Sequence, residues 1–436
     1  MNGKLYLPLP RRSQTGWMMD VLMVLPFLLP GLTGLLGLPS ALRYGMDGAW
    51  VGLTVYLLRF RQSLNWYALR GLPVWILAFL CCTLLVYGVQ YQSGLYYLWG
   101  LRNTFRFYGA FFAFALFGDR EETKRYDAML DALFWINAGV SAVQYLAFGL
   151  RGDHLGGLFG TESGANGYTN IFFLVVLTGS VVRCLQQQEG VLLCVAKCLT
   201  AVVIAALAEL KFFFLELPLL LCLAGPARQL SWRKIGILLG GMAAVLLGAG
   251  MLAFFFPQYR GWFSPEWIFR AVTARRGYTS TGDLNRLTAI GGINSLWLRH
   301  WSQRLFGKGL GNCDTSAFAF LNTPFFRSHG HMHYSWISYA FQYLETGWVG
   351  LMFYWGFFVL LGYRLHRMEK HCPDADTIRC RVGKILACFC LLLSVYNASL
   401  RAESAYMLYY ALAAPFAAGR ESRKEVHHDR FILGRV

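Results

Sequence analysis

Residues 71–90, GLPVWILAFLCCTLLVYGVQ, contain no Asp, Glu, Lys or Arg. A helix needs about 20 apolar residues to cross the hydrocarbon of a bilayer, so this stretch reads as one spanning helix. Working outward from it, similar runs recur along the whole chain, at 19–38, 48–60, 98–118, 128–148, 168–183, 190–208, 211–225, 235–256, 334–363, 384–399 and 405–419. The chain of 436 residues is 56% hydrophobic and only 14% charged, whereas an ordinary soluble chain carries about a quarter charged residues. No stretch combines length with ordinary charge content. The expectation is an all-α, polytopic membrane bundle of about 12 spans forming a single integral domain over 1–436. Cytosolic enzyme classes are poor candidates.

The first run follows a basic head, Arg11 and Arg12, and contains Pro26 and Pro30 without a small-residue cleavage site. It reads as a retained span. The net charge of +17 would point to nucleic acid in a soluble chain. Here most of it reads as positive-inside bias, so no nucleic-acid partner is expected. With the N-terminus inside, the inner segments hold PRR, RFRQSLNWYALR, DREETKR, ARQLSWRK and RESRKEVHHDR. The short outer segments hold only Arg43, Arg151, Lys211 and Arg401. Both termini are therefore expected in the cytoplasm. The 11 cysteines lie mostly in apolar runs and show neither zinc spacing nor a disulfide framework.

One segment departs from the charge pattern. Residues 257–333 form an outer loop that carries Arg260, Arg270, Arg275, Arg276, Arg286, Arg299, Arg304, Lys308 and Arg327 but few acids. Long loops cross membranes regardless of charge. The periodicity of EWIFRAVTARR (266–276) and LNRLTAIGGINSLWLRHWSQRLF (284–306) is that of amphipathic helices, which can lie on a membrane surface. Arginine here suits an anionic partner such as lipid phosphate.

Five features could carry chemistry. FGKGLGN (306–312) has glycines at 307, 309 and 311, reminiscent of a phosphate cradle, but lacks the Lys-Ser/Thr pair of a P-loop. A simple turn is the commoner meaning. Arg286, in TGDLNRLTA, offers a planar fork of donors suited to a diphosphate. Lys211, in ALAELKFFFLELPLLL, stands at the outer end of a span with Glu209 two positions before it, and Glu216 is deeper in the next span. Span-end lysines commonly snorkel, whereas an intramembrane carboxylate is a site candidate. His329, His331 and His333 stand where the basic loop meets the next span, and imidazole can take a proton from a hydroxyl near neutral pH. The histidines lack a carboxylate or cysteine partner nearby, so no metal is expected. Finally, Arg102 and Arg106 share a helix face inside a span or at its edge, and burying both requires an anion.

The order of these pieces resembles the O-antigen ligase / O-antigen polymerase (Wzy-like) superfamily of membrane glycosyltransferases. It runs from an outer-end cation through Arg286, GKGLGN and His333 to YLETGWVGL, covering about residues 205–355. The resemblance implies a GT-C-like bundle and a metal- and cofactor-independent enzyme of the bacterial inner membrane. It implies that Arg286 faces the lipid diphosphate, with Lys211 beside it and Arg275, Arg276 and Arg327 in support. It implies that His333 is the base, with His331 its rival because Tyr334 replaces the family's asparagine. Glu345, Gly347 and Gly350 match the family's Glu-x-Gly-x-x-Gly ending. Glu345 would lie roughly 18 Å from His333 on a continuous helix, too far for the chemistry, and reads as a packing group.

The implied activity is a surface polysaccharide polymerase. It would transfer glycan from undecaprenyl diphosphate to a sugar hydroxyl of a lipid-linked acceptor on the outer face, among membrane lipids. A flippase and a chain-length regulator are the candidate protein partners. One alternative is a ligase acting on lipid A core or another surface acceptor. A second is a lipid-linked glycan transporter, which should show paired broken helices in two repeated halves. No such repeat is visible in the sequence.

Overall fold

The computed structural model describes residues 14–59, 69, 71–90, 92–225, 232–257, 274, 283–371 and 374–417. They are helical, with no strand among the described residues. The first nine helices are α1 (Gln14–Leu36), α2 (Gly45–Arg59), α3 (Leu72–Gln90), α4 (Gly94–Phe117), α5 (Arg120–Phe148), α6 (Ala165–Leu185), α7 (Val191–Leu207), α8 (Phe213–Ala224) and α9 (Trp232–Phe255). Three short helices follow, α10 (Ala289–Leu296), α11 (Trp301–Phe306) and α12 (Pro324–His329). The chain closes with α13 (Ser338–Glu369), α14 (Asp374–Tyr396) and α15 (Ala405–Ala417).

A helix stands on each apolar run of the sequence. Four segments are both long and apolar enough to cross a membrane: Met19–Leu36, Leu72–Gln90, Ala165–Leu185 and Ser338–Glu369. Helices α7, α8 and α15 are apolar but shorter. Large apolar side chains face outward, among them Leu85, Val89, Leu146 and Leu192, the last 84% exposed. Such a surface suits lipid and is costly in water.

Local rules account for several boundaries. Asp119 and Glu122 form a reciprocal capping box at the start of α5, satisfying two backbone donors. Gly149 ends the same helix in the left-handed conformation. Inside the bundle, aromatic rings of α4, α13 and α15 interlock: Tyr108 meets Phe357 edge-on at 4.7 Å, and Phe107 stacks on Tyr409 at 5.5 Å. The helices α13 and α14 pack along their length, and α3 lies against α13.

Two elements differ from the sequence expectation. The segment 284–306 is not one run of helix. It is split into α10 and α11, because Trp297 and Leu298 turn into the core and both bond back to the carbonyl of Ile293. The run expected at 334–363 begins helically only at Ser338 and is broken at Gly347 (φ 63°, ψ −163°). The continuous helix assumed between His333 and Glu345 does not exist. Arg275, Arg276 and the helix expected at 266–276 lie outside the described residues.

The buried arginines of α4 have their anions. Arg102 pairs with Asp47 of α2. Arg106 lies 3.4 Å from Glu403 and 3.8 Å from Asp47, and donates to the carbonyl of Arg401. Neither anion is near in sequence. The pairing ties α2 and α4 to the α14–α15 connection and removes the cost of an isolated buried cation. At the opposite end of the bundle, Lys197 and Arg183 are neutralised by Asp131 and Glu189.

Candidate functional site

A cavity of ≈ 440 Å³ opens where the α7–α8 turn, the start of α6, the α14–α15 connection and the segment around Arg286 meet. This size is within the range of small-molecule sites, about 300–1,000 Å³. Lys211 and Arg286, far apart in sequence, both line it, together with the carboxylates Asp153 and Glu209. Amide and hydroxyl groups of Asn166, Asn397 and Ser399 complete its polar wall, and Trp336 and Tyr396 its aromatic one.

The α7–α8 turn is a Schellman motif. The N–H of Leu210 bonds to the carbonyl of Ala205, and that of Glu209 to Ala206. The residue at its left-handed position is Glu209, at φ 59°. Glycine is the usual occupant, and a side chain there costs about 1–2 kcal/mol. The turn thus holds Glu209 in a strained conformation and aims it back at Lys211, whose Nζ lies 2.6 Å from Oε1. On its other side, Glu209 Oε2 lies against Gly152.

Arg286 is placed by side chains around it. Asn285 Oδ1 accepts from the N–H of Leu287, fixing a turn, and Tyr339 donates to the carbonyl of Arg286 at 2.6 Å. The guanidinium lies over the ring of Tyr396 at 4.7 Å. Tyr396 in turn stacks on Phe212 at 4.2 Å. One aromatic stack therefore links Arg286 to the residue next to Lys211, which sets the two cations in one wall.

The α14–α15 connection is pinned from both sides. Asn397 accepts from the backbone and hydroxyl of Ser338. Arg401 donates to the carbonyl of Ser335 and pairs with Asp314 at 3.1 Å. Tyr168, on the cavity wall, donates to Glu403 at 2.6 Å. Burial alone would push the Glu403 carboxyl up, but Arg106, the Tyr168 hydroxyl and Arg43 outweigh it and hold it below the ordinary carboxylate range.

The histidines stand differently from one another. His333 is in the left-handed conformation at φ 52°, and its ring stacks on Trp336 at 3.7 Å. Trp336 lines the cavity, and His333 stands behind it. His333 Nδ1 is buried with no hydrogen-bond partner. His331 is exposed, His329 packs against Phe325 and Trp297, and Arg327 donates to the carbonyl of Ala319; none of these three lines the cavity. Glu216 lies just below it and accepts from Asn170 of the cavity wall at 3.2 Å.

The glycine turn has an anion of its own. The N–H of Cys313 donates to the Glu345 carboxylate at 3.0 Å, as does that of Gly311. Those of Lys308 and Gly309 donate to the carbonyls of Leu344 and Glu345. A Cβ on Gly307 would overlap the Glu345 backbone, and one on Gly347 would overlap Leu305. Both glycines also have positive φ. So Glu345, Gly347 and the 307–311 turn form one interlocked joint, away from the cavity, that fixes where α13 kinks. Gly350 packs a turn further on, against Thr346.

Sequence reasoning found Lys211, Arg286 and the strip leading to Trp336, but treated Glu209 only as a neighbour of Lys211. It missed Asp153, Asn166, Asn397 and Ser399. Their only signal is the polar residue at an apolar helix end, a signal too common to select them. Among known proteins, no family model matches the chain and no curated protein matches it.

Proposed function

We propose that this protein is a surface polysaccharide polymerase of the bacterial inner membrane. In this reading twelve helices span the bilayer, both termini are cytoplasmic, and the cavity opens to the outer face. The donor is a glycan on undecaprenyl diphosphate, and the acceptor is a sugar hydroxyl of a second lipid-linked glycan. The observation that carries the reading is the joint lining of one cavity by Lys211 and Arg286 beside amides, hydroxyls and an exposed tryptophan. The cations suit a diphosphate, and the remaining wall suits sugar hydroxyls and faces.

In the reaction, the acceptor oxygen forms a bond to the anomeric carbon as the bond from that carbon to the diphosphate oxygen breaks. Negative charge grows on the departing lipid diphosphate. Fixed cations stabilise that charge without reorganising, and this is the largest contribution a site of this kind makes. Arg286 offers two parallel donors and Lys211 a compact charge. Trp336, backed by His333, gives the sugar an apolar face to rest on.

The test is the glycan chain-length profile of cells carrying Lys211→Ala or Arg286→Ala at normal protein levels, beside a deletion strain. Single repeat units on the acceptor are expected. Long lipid-linked chains with a bare acceptor would instead identify a ligase. Chains of normal length in both variants would overturn the proposed role of this cavity.

A further inference from the structure

Resting on that reading, we infer that Glu209 is the proton acceptor for the attacking hydroxyl, and that its ion pair with Lys211 keeps it occupied until the donor diphosphate arrives. The cavity's two cations and Glu209 share one wall, whereas His333 meets the cavity only through the ring of Trp336. The 2.6 Å contact between Lys211 Nζ and Glu209 Oε1 joins the group that would hold the diphosphate to a carboxylate.

The backbone supports a functional charge at this position. Glu209 occupies the left-handed site of a helix-ending turn, where glycine would be relaxed. Strain of this kind persists where a side chain is needed. A purely structural partner for Lys211 could stand at an unstrained position of the same turn. Asp153, the cavity's other carboxylate, already accepts from Asn166 at 2.9 Å. Asn166 also donates to the carbonyl of Ala208, bracing the turn that presents Glu209.

The sequence of events balances. The diphosphate, with more charge than a carboxylate, takes Lys211 over from Glu209. The carboxylate then faces the acceptor hydroxyl and receives its proton as the oxygen bonds to the anomeric carbon. The lipid diphosphate leaves with the electron pair of the broken bond. The proton on Glu209 passes to water or to the diphosphate before the next cycle. Donor binding thus exposes the base, and a hydroxyl is activated only when a donor is in place.

The experiment uses the full chain in nanodiscs and in cells, with Glu209→Gly and Glu209→Gln. Glycine relieves the backbone, so the Tm of Glu209→Gly should equal or exceed that of the parent. Binding of undecaprenyl diphosphate to the nanodiscs should be unchanged or several-fold tighter in both variants, because no carboxylate competes for Lys211. Chain elongation in cells should be lost in both, and added formate should restore part of the elongation by Glu209→Gly in vitro. Elongation at the parental level in either variant overturns the inference. So does loss of undecaprenyl diphosphate binding with elongation merely shifted to higher donor concentration, which makes Glu209 a positioning residue for Lys211. Failure of the parent itself to bind undecaprenyl diphosphate would strike the polymerase reading instead.

Discussion

Two cations brought into one wall by an aromatic stack make a narrow prediction. Removing one preorganised charge-stabilising group from an active site typically costs about 10²–10³-fold in kcat. Lys211→Ala and Arg286→Ala should each lose elongation on that scale in vitro, with Arg286→Lys recovering only a part because lysine cannot bind bidentately. A loss under about threefold in both would show that these charges do not face the reacting group. The residue scale also predicts a pH effect at Glu403. Its carboxyl is held below the ordinary range despite burial, by Arg106 first and then by Tyr168 and Arg43. A depressed folded-state value means that the stabilisation is complete above the unfolded value, about 4.3, and is lost as pH falls through the lower folded value. Breaking a buried pair costs roughly 3–5 kcal/mol. Glu403→Gln should therefore lower Tm by a constant amount between pH 8 and pH 6, and the gap to the parent should close as pH falls below the ordinary carboxylate range. A gap that widens in acid would contradict this pairing. Arg102 and Arg106 were legible in the sequence as cations that need an anion. Asp47 and Glu403 were not legible as those anions, because only the fold brings them near.

At the scale of elements, the joint of Glu345, Gly347 and the 307–311 turn sets the angle between the two parts of α13. Its parts were visible as a motif, but its meaning was not. Glycines spaced by two suggested a cradle for a phosphate, and the turn does point backbone donors at an anion. That anion is Glu345, from the same chain. Glu345→Ala leaves the N–H groups of Cys313 and Gly311 buried without this acceptor, at about 1–3 kcal/mol per lost bond. It should lower Tm while leaving undecaprenyl diphosphate affinity within about twofold in the protein that folds. Gly347→Ala meets the Leu305 backbone at a positive φ and should lower the yield of folded protein more severely. Wild-type thermal stability in both variants would remove the joint. The kink itself hid from sequence reading because glycine is common in membrane helices. Hydropathy runs unbroken across it, so periodicity saw one element where the backbone has two.

For the molecule as a whole, hydropathy located each long helix, because a lipid-facing surface writes its pattern into consecutive residues. It could not show which helix ends meet. The cavity draws on α6, the α7–α8 turn, α14 and the 283–288 segment, contacts that no local pattern encodes. The proposed orientation is open to direct test. Single cysteines introduced at Asp153 and Ser399, in an otherwise cysteine-free chain, should react with a membrane-impermeant maleimide added to intact spheroplasts, and one at Gln188 should react only after lysis. The reverse pattern would turn the cavity to the cytoplasm and end the polymerase reading.

The most direct measurement is turnover by the purified protein in proteoliposomes supplied only with the lipid-linked repeat unit that accumulates in the deletion strain. The account predicts a ladder of longer lipid-linked glycans with release of undecaprenyl diphosphate, and no ladder from the Arg286→Ala protein. Translocation of the lipid-linked unit across the bilayer without any elongation would contradict it and identify a transporter.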